Sequence, residues 1–191
     1  VAGKKEPGFI IAIDHGINPD NAKYAYAMLP NVPAKEMNAT VKSLLKDYTF
    51  ATEKTKAHAI KIGNKNIQAA FFEPCEISVG GITVRAHDVS QFMLRESSDS
   101  YILSASNPAP DDSRTSLTFT TSKILPAGVY NYTIGGIYPV EGETVIVSHE
   151  GLGSKIVVEI PDSRDEEKYN YQTILYSGAP ITVIIPKKNA Q

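Results

Sequence analysis

The sequence predicts an all-β protein with one short helix, arranged as an antiparallel β-sandwich. Short runs in which apolar and polar residues alternate cover most of the 191 residues, and turns rich in Pro, Gly and Asp separate them. A single segment has helical spacing instead. A chain of this length buries about 70% of the surface that its unfolded form exposes, which is enough for a hydrophobic core.

The first elements in chain order are a strand and the helix. Residues 24–29 place tyrosine and methionine between alanines and leucine, a pattern typical of a strand buried on both faces. Pro33 suits a first helical turn, because its missing N–H would lack a partner there anyway. We therefore predict a helix at 34–46, with one apolar stripe buried against a sheet and formed by Met37, Val41, Leu44 and Leu45.

Two hairpins follow the helix. The runs 57–62 and 67–72 flank Gly63-Asn64-Lys65-Asn66, and the runs 77–79 and 82–84 flank Gly80-Gly81. Beyond Asp88 the sequence predicts short strands at 89–94, 101–104, 116–120, 129–134, 144–147, 155–160 and 181–185. We expect Lys187 and the residues after it to be a frayed tail.

Composition excludes several classes of protein. Lys plus Arg is 19 and Asp plus Glu is 21, so the net charge of -2 argues against a dedicated nucleic-acid-binding protein. The single cysteine excludes an internal disulfide and multi-cysteine zinc sites. No apolar run approaches the ~20 residues of a membrane span. The first residues contain no apolar region of signal-peptide length.

The four histidines offer few candidates for catalysis. Asp14-His15-Gly16 could be an acid/base pair, but a strand end with a backbone-bonded imidazole is the favoured interpretation. His58 lies in a strand, where packing is favoured over catalysis. His87 shares a strand face with Thr83 and Arg85 that could meet a carboxylate or sulfate, although a solvated face is favoured. None of these, nor His149, has the i, i+4 spacing of helical metal ligands.

Other motifs are weak. Asp111-Asp112 could touch calcium, but the full loop pattern is absent. Two glycosylation sequons begin at Asn38 and Asn131, and the first falls within the predicted helix. Cys75 is expected to be a buried, inert thiol. Neither a Walker loop nor a nucleophile elbow occurs, so we assign no catalytic residue, no metal ligand and no cofactor, and the substrate-binding residues stay unknown.

One long segment carries a more specific pattern. Between Phe9 and Pro30 the spaced features are His15-Gly16, Pro19, Ala22, Tyr24, Tyr26 and Leu29-Pro30, and a Pro-led helix, further strands and Phe71-Phe72-Glu73-Pro74 come after them. Over most of residues 8–110 this pattern resembles the family 8 polysaccharide lyases, which cleave hyaluronan, chondroitin sulfates or xanthan. The helix and the stretch 68–74 resemble most the chondroitin sulfate ABC lyase branch.

The resemblance implies an architecture of which this chain is a part. These lyases have an α/α toroid, a large central β-sandwich and a smaller C-terminal β-sandwich. Residues 1–88 would be the end of the central sandwich and residues 89–191 the C-terminal one. The family's catalytic Asn, His, Tyr, Arg and Glu lie on the toroid and earlier in the central sandwich. His15 belongs to the His-Gly strand-end motif, so we do not place catalysis on it.

The implied function is that of a supporting fragment. The chain would belong to a secreted or periplasmic lyase that acts on a glycosaminoglycan by β-elimination, and would be inactive alone. Its partners would be the missing N-terminal catalytic part and, through the whole enzyme, the polysaccharide. The alternative is a stand-alone bacterial surface β-sandwich that binds a glycan or a protein.

Overall fold

A computed structural model describes residues 16–17, 28–108, 116–134, 138–160 and 180–187, with the backbone alone at 138–143. They form one helix, α1 (Ala34–Asp47), and twelve strands, so an all-β fold with one helix is confirmed. The strands are β1 (Tyr48–Glu53), β2 (Ala57–Ile62), β3 (Asn66–Phe71), β4 (Cys75–Val79), β5 (Ile82–Ala86), β6 (Ser90–Glu96), β7 (Ser100–Ser106), β8 (Ser116–Thr121), β9 (Gly128–Ile134), β10 (Tyr138–Glu150), β11 (Gly153–Glu159) and β12 (Ile181–Pro186).

The twelve strands form a single antiparallel sheet. Their order is β1-β2-β3-β6-β7-β12-β9-β10-β11-β8-β5-β4. Strand β4, at one end of this order, lies close to β1 and β2 at the other end, so the sheet nearly closes into a barrel-like shape. All twelve strands belong to one of the two compact units of the chain, Val41–Gln191, and the other unit is Val1–Thr40.

The core lies between two facing halves of this sheet. In the sheet order β7, β12, β9, β10 and β11 separate β6 from β8, yet the rings of Phe92 on β6 and Phe119 on β8 have centroids 5.1 Å apart. Every second residue of most strands is buried, as the period of a half-buried strand requires. The two layers expected of a sandwich are therefore present as halves of one continuous sheet, whereas a sandwich has two separate sheets.

The sheet is continuous across Asp88. Strand β3 pairs with β6 over Asn66–Phe71, and β5 pairs with β8 at Val84–Ala86. The boundary expected at residue 88 therefore does not mark a break in the sheet, which joins strands from both sides. The assignment of residues 1–88 to a larger central sandwich stays a prediction, because most of residues 1–27 lie outside the described part of the chain.

The helix is where the sequence predicts it, but its apolar stripe is not buried. Helix α1 begins at Ala34 and has no buried residue. Val41 is 36% exposed and Leu45 is 62% exposed, so the expected burial against a sheet is wrong. Periodicity shows which residues share a helix face, and it carries no information about what lies against that face. Among the described residues no helix is long and apolar enough to cross a membrane.

Both predicted hairpins are present. Gly63, at φ 57°, begins the turn between β2 and β3, and Gly80-Gly81 turns with positive φ angles of 54° and 80° between β4 and β5. Strand β1 was not predicted. Lys187 is not frayed, because its N–H donates to the carbonyl of Asp99 at 2.8 Å. Of the strand predicted at 24–29, residues 24–27 lie outside the described part.

Candidate functional site

The best-formed polar cluster of the described residues lies at one end of the sheet, and we call it the Glu96 cluster. It consists of Glu96, Tyr101, Lys123 and Lys187. Register places Glu96 opposite Tyr101, and Tyr101 opposite Ile185, so Lys187 emerges from β12 beside them. Lys123 follows β8, which lies on the facing half of the sheet. The cluster therefore joins segments that are far apart both in the sequence and in the sheet.

One carboxylate binds both ammonium groups. Lys187 Nζ donates to Glu96 Oε1 at 2.9 Å and to the Ser97 carbonyl at 2.7 Å. Lys123 Nζ donates to Glu96 Oε2. The two ammonium groups also lie over the ring of Tyr101, with Nζ 5.2 Å from the centroid for Lys187 and 5.7 Å for Lys123. These distances are in the range of cation–π contacts.

The electrostatics of the cluster are those of a structural ion pair. The hydrogen bond from Lys123, followed by that from Lys187, lowers the pKa of Glu96 from 4.5 to about 2. Hydrogen bonds from Ser97 and Ser100 lower the pKa of neighbouring Asp99. The carboxylates of Glu96 and Asp99 balance the formal charges of the two lysine ammonium groups. Glu96 is thus ionised at neutral pH and has no proton to donate to a substrate.

We expect Glu96→Gln to lower the free energy of unfolding by about 1–2 kcal/mol at pH 7, because it removes a charge-assisted clamp that is partly solvated. The folded-state pKa of Glu96 lies below its ordinary value. The clamp therefore stabilises the fold fully above pH 4.5, and this contribution is lost as the pH falls toward 2. Urea unfolding of both proteins between pH 7 and pH 3 measures the difference, which should shrink on acidification.

The control is Glu73→Gln. Glu73 pairs with Lys56 at 3.4 Å, but both side chains are about half exposed, so we expect a loss below about 0.5 kcal/mol. The clamp would be contradicted if Glu96→Gln lowered the free energy of unfolding by no more than the control does, or if its effect did not depend on pH.

The three described histidines are not brought together. His58 lies on β2, His87 directly follows β5, and His149 lies on β10. These three strands are not neighbours in the sheet. His58 packs edge to face on Phe72, with ring centroids 5.5 Å apart. His149 Nε2 lies 3.2 Å from the Leu125 carbonyl oxygen. His15 lies outside the described residues.

The strand face near His87 is not purely cationic, because a glutamate lies opposite its arginine. Arg85 is exposed on β5, and Glu76 lies opposite it on β4. The backbone N–H of His87 donates to the Thr118 carbonyl at 3.1 Å, which fixes the strand end. The solvated face favoured from the sequence agrees with this arrangement.

The remaining candidates carry no assembled chemistry. Cys75 is partly exposed rather than buried, and burial, with a contribution from Glu53, raises the pKa of its thiol. A raised pKa disfavours the reactive thiolate. Asn38 lies in α1, and Asn131 is exposed on β9. Asp111 and Asp112 lie outside the described residues. Within the described ranges no group of three or more His, Cys, Asp and Glu side chains is placed to hold a metal ion.

Sequence reasoning did not find the Glu96 cluster. Glu96, Lys123 and Lys187 are separated by long stretches of chain, and no local motif connects them. Only the pairing of β12 with β7 and the facing of the two halves bring them together. The one local signal is a lysine directly after an apolar strand at Ile181–Pro186, and this is common at strand ends.

Comparison with known proteins shows similarity of fold. No family model matches the chain, and no curated protein does. The structure is similar to that of a Paenibacillus xanthan lyase, with a TM-score of 0.55, 13% identity, and coverage of 84% of this chain and 13% of the lyase. It is also similar to a mutant chondroitin AC lyase of Streptomyces coelicolor A3, with a TM-score of 0.57, 14% identity, and coverage of 90% and 19%.

The similarity therefore extends over most of this chain and a small part of each lyase. The chain resembles a β-domain portion of family 8 polysaccharide lyases. It spans 13% and 19% of the lengths of these two proteins. At such low identity the likeness is one of fold.

Proposed function

We propose that the chain is the C-terminal β region of a secreted or periplasmic lyase that cleaves a glycosaminoglycan, chondroitin sulfate or hyaluronan, by β-elimination. The observation that carries the proposal is the fold shared with two polysaccharide lyases over 84% and 90% of the chain. The spaced pattern between Phe9 and Pro30 supports it from the sequence. A particular likeness to the chondroitin sulfate ABC lyase branch belongs to the same proposal.

In this proposal the chemistry lies elsewhere in the protein. β-Elimination needs a base for the proton next to the uronic carboxylate, a group that neutralises this carboxylate, and an acid for the leaving oxygen. Among the described residues Glu96 is ionised and held by two lysines, and the three histidines lie on separate strands. The chain therefore has a structural or glycan-supporting role, and its partners are the catalytic part of the same protein and, through it, the polysaccharide.

The resemblance implies a division at residue 88 into the end of a central sandwich and a C-terminal sandwich. Pairing across Asp88 favours a different division within the same proposal. All twelve strands, from Tyr48 to Pro186, would form the smaller β domain, and α1 would lead into it.

The proposal is tested on the complete product of the gene that encodes this chain. Elimination creates an unsaturated uronide, so ultraviolet absorbance should rise when the complete product meets chondroitin sulfate or hyaluronan. The 191-residue chain alone should give no rise above a buffer blank. A complete product with no toroid and no elimination on these polymers or on xanthan would leave the alternative, a stand-alone surface module that binds a glycan or a protein.

A further inference from the structure

The two outer faces of the sheet differ in charge. The first outer face consists of the side chains of β1, β2, β3, β6, β7 and β12 that alternate with the buried core residues. Strand register aligns them in rows across the sheet. One such row contains Phe50, Ile60, Gln68, Met93, Ser104 and Thr182.

The next row of the first outer face contains the arginine Arg95. It aligns Tyr48, Ile62, Asn66, Arg95, Ile102 and Ile184. Arg95 alone carries a formal charge among the described side chains of the first outer face. The whole chain, by contrast, is 21% charged. Aromatic residues, Met and Arg are enriched at protein interfaces, whereas Lys, Glu and Asp are depleted there.

The second outer face serves as an internal comparison. It is formed by the corresponding side chains of β4, β5, β8, β9, β10 and β11. Charges of both signs are spread over it, at Glu76, Arg85, Glu150, Lys155 and Glu159. A face of this composition is that of an ordinary solvated surface. The low charge of the first face is therefore a property of that face and not of the sheet.

Large apolar side chains of the first outer face are open to solvent. Ile184 is 63% exposed on β12 and Phe50 is 52% exposed on β1, which are the two border strands of this face. The small side chains of Ser104 and Ser106 are sheltered, at 9% and 5%. The second outer face exposes apolar side chains too, with Val129 at 65% and Ile146 at 38%. The low charge, rather than the apolar exposure, therefore distinguishes the first outer face.

We propose that the first outer face is the surface on which the remainder of the longer lyase polypeptide docks, an inference that rests on the function proposed above. The matched lyases are far longer than the part that this chain covers, which is 13% and 19% of them. In this proposal the remainder lies against one face of the β unit. The face with the fewest charges loses the least hydration free energy when it is covered.

The occupant can be described by its chemistry. It presents a mainly apolar surface to the isoleucines and to Met93, and a carboxylate or carbonyl oxygen to Arg95, because a buried guanidinium needs a partner. A glycan fits less well, since the aromatic rings of this face, Tyr48 and Phe50, are confined to the border strand β1. The isoleucines farther across it offer a sugar neither hydrogen bonds nor a ring. A second copy of the chain fits less well too, since Arg95 lies on β6 near the middle of the face, and a two-fold axis through that middle would bring Arg95 toward its own copy.

Hydroxyl-radical footprinting tests the docking directly, because it measures the accessibility of individual side chains. Oxidation of Phe50 and Met93 should be about fivefold slower or more in the complete gene product than in the 191-residue chain, because a docked surface covers both the border strand β1 and the middle strand β6 and excludes water from them. Leu152, which is 93% exposed between β10 and β11, should be oxidised equally fast in both. Equal rates for Phe50 and Met93 would overturn the proposal.

A matched pair of variants separates docking from folding. Ile184 and Val129 are β-branched residues with similar exposure, 63% and 65%, on the first and second outer face. In the chain alone, Ile184→Lys and Val129→Lys should melt at temperatures close to each other. In the complete product, Ile184→Lys should restore oxidation of Phe50 and lower the melting temperature, and Val129→Lys should do neither. Equal behaviour of the two variants in the complete product would overturn the proposal.

Two further outcomes would also overturn it. A dimer of the chain alone, seen in sedimentation and protecting Phe50 in proportion to concentration, would identify a second copy as the occupant. Protection of Phe50 by added chondroitin sulfate would identify a glycan. Failure of the proposed function looks different, because elimination is assayed on the same complete product. Protection without elimination rejects the lyase function alone, and elimination without protection rejects the docking alone.

Discussion

Replacing Phe119 with alanine is expected to lower the free energy of unfolding by about 3–5 kcal/mol. The Phe119 ring is fully buried and tilts against Phe92 at 5.1 Å between ring centroids. Because these two residues belong to opposite halves of the sheet, the loss of one ring leaves a cavity where the halves meet. Urea unfolding followed by circular dichroism measures the change.

Phe72→Ala is the control for this substitution. Phe72 is 55% exposed and touches the ring of His58, so its loss should lower the free energy of unfolding by about 0.5 kcal/mol. If Phe119→Ala were no more destabilising than this control, the two halves of the sheet would not share a common core.

Cutting the chain at Asp88 is expected to abolish cooperative folding of both pieces. The cut separates β3 from β6 and β5 from β8, which leaves four strand edges without hydrogen-bond partners. It also divides the core, since Phe71 and Val84 lie on one side of the cut and Phe92 and Phe119 on the other. Unpaired apolar edges of this kind aggregate.

A fragment of residues 41–191 should behave differently, because it retains all twelve strands. We expect it to be monomeric and to melt in one sharp transition, whereas fragments 1–88 and 89–191 should aggregate or stay unfolded. Thermal unfolding and sedimentation of the three fragments measure this. A monomeric, sharply melting 89–191 would show that these residues form a complete domain, as the lyase resemblance implies.

The parts of the fold that could be predicted from the sequence are local. The hairpins at Gly63 and at Gly80-Gly81 are specified by glycines that adopt positive φ between alternating runs. Helix α1 is specified by Pro33 and by apolar residues at helical spacing. Strand β1 was missed because it begins at Tyr48, directly after the helix ends at Asp47, with no turn residue between them.

The parts that could not be predicted depend on which strands pair. Alternation of apolar and polar residues shows that Ser90–Glu96 is a strand, but it contains no information about the strand's partner. The pairing of β6 with β3 across Asp88 therefore could not be read from the sequence. The Glu96 cluster likewise depends on long-range contacts, namely the pairing of β12 with β7 and the facing of the two halves of the sheet, since its lysines follow β8 and β12. A candidate site built from strand ends is visible only when the order of the strands is known.

The position of β12 has a consequence for how the protein is made. This strand follows the other eleven along the chain, yet it lies between β7 and β9 in the interior of the sheet. Until the ribosome has released residues 181–186, no strand joins β7 to β9 by hydrogen bonds. The nascent chain thus exposes two open edges, on β7 and on β9, until β12 has been made, and such edges are the surfaces that chaperones protect. Folding that waits for the last strand is also slow, because the ends of long loops have to meet before any pairing is gained.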